Sequence, residues 1–160
     1  MLSFEEQEKV KKALGEVAGL MENDQPINKN YSNDDLRVLY TLAYTLYQGG
    51  DYEQAKRIFQ QLASCKPLTK KYWLGLGACW QMEKSYTDAL KAWGMAALID
   101  GADPTPHYHA AECYLALEDY VEGLKAVRAT KSRLTDEHRE LREKVETLES
   151  SWKKEEEQGA

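Results

Sequence analysis

The side chains best equipped for covalent or metal chemistry in this 160-residue chain are three histidines and three cysteines. His107 and His109 flank Tyr108, and residues two apart on a helix point to different sides, so they make no ligand pair. His138 stands alone in a charged stretch. Cys65, Cys79 and Cys113 are odd in number and contain no C-x-x-C pair, which argues against a zinc site or a disulfide framework. Cys79 and Cys113 lie 34 residues apart, a spacing that makes them equivalent small packing residues rather than reactive thiols. There is no G-x-S-x-G, no H-E-x-x-H and no glycine-rich phosphate loop. Neither catalysis nor a metal or cofactor is expected. The remaining pattern serves recognition: Tyr40, Tyr44 and Tyr47 fall at i, i+4 and i+7, one stripe of a helix.

The elements that carry these residues follow from an internal repeat. Shifted by 34 residues, Leu39, Trp73 and His107 align, as do Leu42, Leu76 and Ala110. Three small residues follow, Ala43, Gly77 and Ala111, and then Leu46, Trp80 and Tyr114. Tyr52, Tyr86 and Tyr120 are identical; Ala55, Ala89 and Gly123 are small; Phe59, Trp93 and Val127 are bulky. This period, with Trp73-Leu74-Gly75-Leu76-Gly77 in the W-x2-L-G register, resembles the tetratricopeptide repeat. Each unit is then two antiparallel helices, A and B, whose small residues face one another so that the backbones approach closely. A single unit cannot bury its own apolar face, so the expected fold is all-α: three repeats, about 36–69, 70–103 and 104–137, stacked in a short superhelix. His107 falls on a core position and is expected to pack.

Local signals agree. Ser32-Asn33-Asp34-Asp35 predicts a capping box at the first A helix, and Gly49-Gly50 predicts its end. Cys65-Lys66-Pro67-Leu68 reads as a turn, and Gly101 to Pro106 as a break before the third A helix. Residues 1–31 form an amphipathic flank. Its stripe of Val10, Ala13, Leu14, Val17, Ala18 and Met21 keeps helical spacing. That stripe either caps the first repeat or, through Val10, Leu14, Val17 and Met21, contacts a second copy. Residues 32–134 hold the repeats. Residues 135–160 predict a helix with a narrow stripe of Leu141, Val145, Leu148 and Trp152, capping the third repeat, followed by a polar tail.

Bulk properties exclude whole classes. The net charge is −6 and the sequence pI about 5.2, the wrong sign for neutralising nucleic-acid phosphates. No apolar run approaches the roughly 18 residues of a membrane span. Met1-Leu2-Ser3-Phe4-Glu5-Glu6 lacks a signal peptide's basic start, so a cytoplasmic protein is expected.

The core stripe of the first A helix is already supplied by Leu39, Leu42, Ala43 and Leu46. Tyr40, Tyr44 and Tyr47 therefore form a second, aromatic face. In such a repeat the A helices line the concave side, which makes this face part of a groove. Equivalent positions are Lys71, Leu74, Ala78, Gln81 and Met82, then Thr105, Tyr108, Glu112 and Leu115. Tyrosine offers apolar area at low entropic cost and keeps a wet hydroxyl. An extended apolar or proline-bearing ligand suits that lining. The alternative is that the tyrosines pack on the N-terminal helix or a neighbouring repeat.

Three segments carry a further resemblance: Leu42-Ala43-Tyr44 through Tyr47-Gln48-Gly49-Gly50-Asp51-Tyr52-Glu53-Gln54-Ala55 to Phe59-Gln60, then Tyr72 to Cys79, then His109-Ala110-Ala111-Glu112-Cys113-Tyr114-Leu115. With the layout of helix, three repeats and helix, these resemble the class II chaperones of bacterial type III secretion. The resemblance implies binding of hydrophobic, pore-forming translocator proteins in the bacterial cytoplasm, keeping them soluble before export. It implies a concave groove around Tyr40, Tyr44 and Tyr47 that holds a P-x-L-x-x-P-like segment. It also implies a homodimer through N-terminal helices and, in some members, a transcriptional activator as a further partner. The rival reading is a generic repeat adaptor or assembly protein. An adaptor that clamps a C-terminal carboxylate uses Lys and Asn where this chain has Tyr40 and Tyr44.

Overall fold

The chain starts its first described helix because Ser32 and Asp35 satisfy each other's backbone. Asp35 N–H donates to Ser32 Oγ at 3.1 Å and Ser32 N–H donates to Asp35 Oδ2 at 3.0 Å, the reciprocal cap expected of this motif. In the computed structural model the described residues are 30–159, apart from the side chains of 155 and 156. The stripe of Val10, Leu14, Val17 and Met21 lies outside them.

Among the described residues there are seven α-helices and no strand. They are α1 (Asn33–Gln48), α2 (Tyr52–Cys65), α3 (Lys70–Met82), α4 (Tyr86–Ile99), α5 (Thr105–Ala116), α6 (Tyr120–Lys131) and α7 (Arg139–Gln158), with a 3-10 turn at Asp136–His138 before the last. The A helices of the repeats are α1, α3 and α5; the B helices are α2, α4 and α6. Asp51 and Asp119 cap α2 and α6 by accepting from Gln54 N–H and Glu122 N–H at 3.2 Å.

All three A helices stop in the same way. Asp51, Ser85 and Asp119 donate their N–H groups back to Leu46, Trp80 and Tyr114 carbonyls at 2.8–2.9 Å. The residue just before each donor has positive φ: Gly50 at 86°, Lys84 at 62° and Glu118 at 59°. This is the left-handed helix-ending turn that glycine favours. Only the first copy has glycine there.

The chain divides into two compact units, one ending at Cys79 and one beginning at Trp80. In the first, α1 packs on α2 around Leu39, Leu42, Ala43, Ala55, Ile58, Phe59 and Leu62, all buried. Tyr72 and Leu76 of α3 are buried too. Gly75 lies against the ring of Phe59, where a Cβ would collide. In the second unit α5 packs against both α4 and α6, and α7 lies on α5 and α6. Its core joins Tyr108, Ala111, Ala126, Val127, Val145 and Trp152, with Leu141 and Leu148 packed at the edge. The third repeat is thus covered by the C-terminal helix.

The small size of Gly123 is expected from its pairing with Ala111 across the A–B contact. The structure adds a second reason: a Cβ at Gly123 would meet the indole of Trp152. The constraint is imposed by α7, which drops its largest side chain onto that helix.

Candidate functional site

In the first unit, α1 and α3 bring together an aromatic face. The rings of Tyr40 and Tyr44 stack, with centroids 6.4 Å apart at 25°. This is the i, i+4 neighbour relation on one helix. Beneath them, Tyr40 meets Phe59 edge-on at 6.0 Å and Tyr72 at 6.0 Å. Tyr40 is therefore half-buried, wedged between the core and the surface. Tyr44 is open, at 49% exposure. Tyr47 turns toward the A–B turn and packs edge-on against Tyr52, 5.3 Å away. Burial raises the phenol pKa of Tyr40 and of Tyr47, reinforced by neighbouring tyrosines, so both hydroxyls remain donors. Lys71, exposed at the start of α3, places its Nζ 4.5 Å from the Tyr40 ring centroid. Leu74 and Ala78 lie further along α3, both half-buried. The tyrosine stripe is thus graded: Tyr40 anchors in the core while Tyr44 presents an open ring.

The second unit holds a polar network that the sequence did not announce. Gln81 Nε2 donates to Glu112 Oε1 at 3.1 Å. Gln81 Oε1 accepts from Trp93 Nε1 at 3.1 Å and from the Cys113 thiol at 3.5 Å. His109 Nδ1 meets the same Glu112 oxygen at 2.6 Å, and its ring lies flat on Trp93, centroids 4.5 Å apart at 22°. Burial alone would raise the Glu112 pKa. The hydrogen bond and charge of His109, with hydrogen bonds from Gln81 and Tyr108, outweigh it and hold the carboxyl below its ordinary value. Burial first, then the Glu112 charge, pushes both the Tyr108 phenol and the Cys113 thiol up to about 12. Cys113 thus stays a protonated donor, as its packing position implied.

Gln81, Met82 and Glu112 reach the surface, Met82 at 49% exposure. Tyr108, expected on the open face, is instead 9% exposed and belongs to the core around Trp152. Its ring fills the space that α7 closes, and it reaches the site through its hydrogen bond to Glu112 and an edge-on contact with the His109 ring, 5.2 Å away. His109 is the residue that sequence reasoning missed. Its signal was the i, i+3 spacing to Glu112. His107 packs as expected: its Nε2 is buried without a partner, and burial, then Arg133, lower its pKa against the pull of Asp103. Among the described residues no three His, Cys, Asp or Glu side chains converge as a metal-ligand group. None of the described helices is long and apolar enough to cross a membrane.

Comparison with known proteins places these faces in context. The tetratricopeptide-repeat family matches residues 40–106. Over 119 residues the chain is 34% identical to low calcium response locus protein H of Yersinia pestis, spanning 73% of this chain and 71% of that protein. The Yersinia enterocolitica type III secretion chaperone SycD, solved with a peptide of the translocator YopD, is 31% identical; the match covers 80% of this chain and 99% of that one, with a TM-score of 0.75. SycD has also been solved as an alternative dimer. PcrH in complex with the chaperone binding region of PopD is 31% identical, covering 81% and 99% of the two chains with a TM-score of 0.76; PcrH comes from Pseudomonas aeruginosa.

Proposed function

Because the chain belongs to the family of low calcium response locus protein H, the tetratricopeptide-repeat translocator chaperones of type III secretion, we propose that it binds hydrophobic translocator proteins and keeps them soluble until export. A translocator carries amphipathic segments that aggregate when free. Holding one extended segment on the chaperone while the rest is covered removes that apolar surface from water. The relatives solved with a YopD peptide and a PopD region support this reading.

The observation in this chain that carries it is the Tyr40–Tyr44 stack. One ring is pinned by Phe59 and Tyr72 and the other is left half in water. A pre-ordered pair of rings accepts leucine and proline side chains with little loss of entropy. The segment held is of the P-x-L-x-x-P kind, with Tyr47, Lys71, Leu74 and Ala78 continuing the face of the first unit. Gln81, Met82 and Glu112 offer the second unit's own contacts. The protein acts by binding in the cytoplasm and not by catalysis. It pairs with a second copy, as SycD does, with Val10, Leu14, Val17 and Met21 as the proposed contact.

Titration calorimetry of the full chain with a blocked Pro-x-Leu-x-x-Pro peptide tests the reading. Wild type binds, and Tyr44→Glu, unchanged in circular dichroism, does not. A folded wild type that ignores the peptide sinks it.

A further inference from the structure

Several lysines on this surface sit beside an acid. Lys56, Lys91, Lys125, Lys131 and Lys144 each meet a carboxylate. Lys71 does not. Its Nζ sits 4.5 Å from the Tyr40 ring centroid and 5.7 Å from that of Tyr72, with no carboxylate of the described residues in ion-pair range. What sets Lys71 apart is that its ammonium, without an acid, lies over the rings of the aromatic face in a chain of net charge −6. The two ring faces attract the cation and restrict where it sits, so Lys71 is pre-placed without being neutralised.

Resting on the peptide-holding reading above, we infer that Lys71 sets a specificity of this face: the segment it takes carries an Asp or Glu one or two residues from the apolar side chain lying on Tyr40 and Tyr44. An apolar segment laid across the two rings strips water from the Lys71 ammonium. A desolvated ammonium that gains no acceptor is penalised. A carboxylate on the segment supplies both charge and hydrogen bond; a neutral residue at that place leaves the cost standing. The acid adds selectivity more than raw affinity, because the free ammonium is still partly hydrated.

Four blocked Pro-x-Leu-x-x-Pro peptides test this by calorimetry on the full chain. One has Gln at all three x positions; the others carry a single Glu at each position in turn. At low salt one Glu peptide binds wild type about tenfold more tightly than the all-Gln peptide. That gap shrinks at high salt and vanishes in Lys71→Gln, while Lys71→Glu prefers the corresponding Lys peptide. Lys71 is exposed, so these variants fold; circular dichroism checks it. Equal binding of Glu and Gln peptides by wild type, or a preference that survives Lys71→Gln, overturns the inference and leaves the groove reading intact. A folded wild type that binds none of the four overturns both.

Discussion

The indole of Trp152 lies directly on Gly123, leaving no room for a Cβ on α6 at that point. Trp152 is 3% exposed and surrounded by Tyr108, Val127 and Val145, so the ring has nowhere to retreat. Gly123→Ala gains about 1 kcal/mol of helix propensity but forces the ring out of its packing, at about 1–3 kcal/mol. Net destabilisation is expected in wild type. In a Trp152→Ala background the clash is gone, and the same change stabilises. A double-mutant cycle by urea unfolding reads the reversal of sign.

Tyr40 and Tyr44 differ in what they support. Tyr40 contacts Phe59 and Tyr72, whereas Tyr44 is half in water. Tyr44→Ala changes stability by no more than about 0.5 kcal/mol, and Tyr40→Ala costs about 1–2 kcal/mol from lost aromatic packing. Both weaken peptide binding. Thermal unfolding beside calorimetry separates the two roles.

Lys84 and Glu118 hold positive φ where the first repeat has Gly50. A non-glycine residue in that conformation costs about 1–2 kcal/mol, partly offset by the unfolded-state entropy of glycine. Lys84→Gly and Glu118→Gly each stabilise by about 0.5–1 kcal/mol, and Gly50→Ala destabilises by a similar amount. Denaturant midpoints at unchanged slope check this.

The Glu112 network predicts an acid sensitivity. Its carboxyl is held below the ordinary value of 4.5, so its contribution is complete above about pH 4.5 and is lost as pH falls through the lowered folded value. Glu112→Gln removes that contribution. The melting temperatures of wild type and Glu112→Gln therefore differ near neutrality and converge in acid. A gap that stays constant down to pH 3 refutes this role.

Of the three cysteines, Cys65 is exposed, and Cys79 and Cys113 are buried. The Cys113 thiol is pushed up to about 12, which leaves almost no thiolate near pH 8. A thiol reagent at pH 8 titrates one group quickly, and the other two react only in denaturant.

The repeat, the all-helical fold and the cap of the first helix were legible in the sequence because they rest on local rules. A 34-residue period fixes equivalent positions, and Ser32 with Asp35 caps α1 through atoms three residues apart. The aromatic stripe was legible for the same reason, since helical spacing alone puts Tyr40 and Tyr44 on one face. The tertiary structure decided whatever depends on which side chain arrives from elsewhere. It buried Tyr108 under α7, set Trp152 against Gly123, and gave Gln81 its bonds to Glu112, Trp93 and Cys113 from two other helices. It also put the Lys71 ammonium over the Tyr40 ring, 31 residues away in sequence. Periodicity records which face of a helix is apolar; it carries no information on the partner that will cover that face, because that partner is selected by packing among residues distant in the chain.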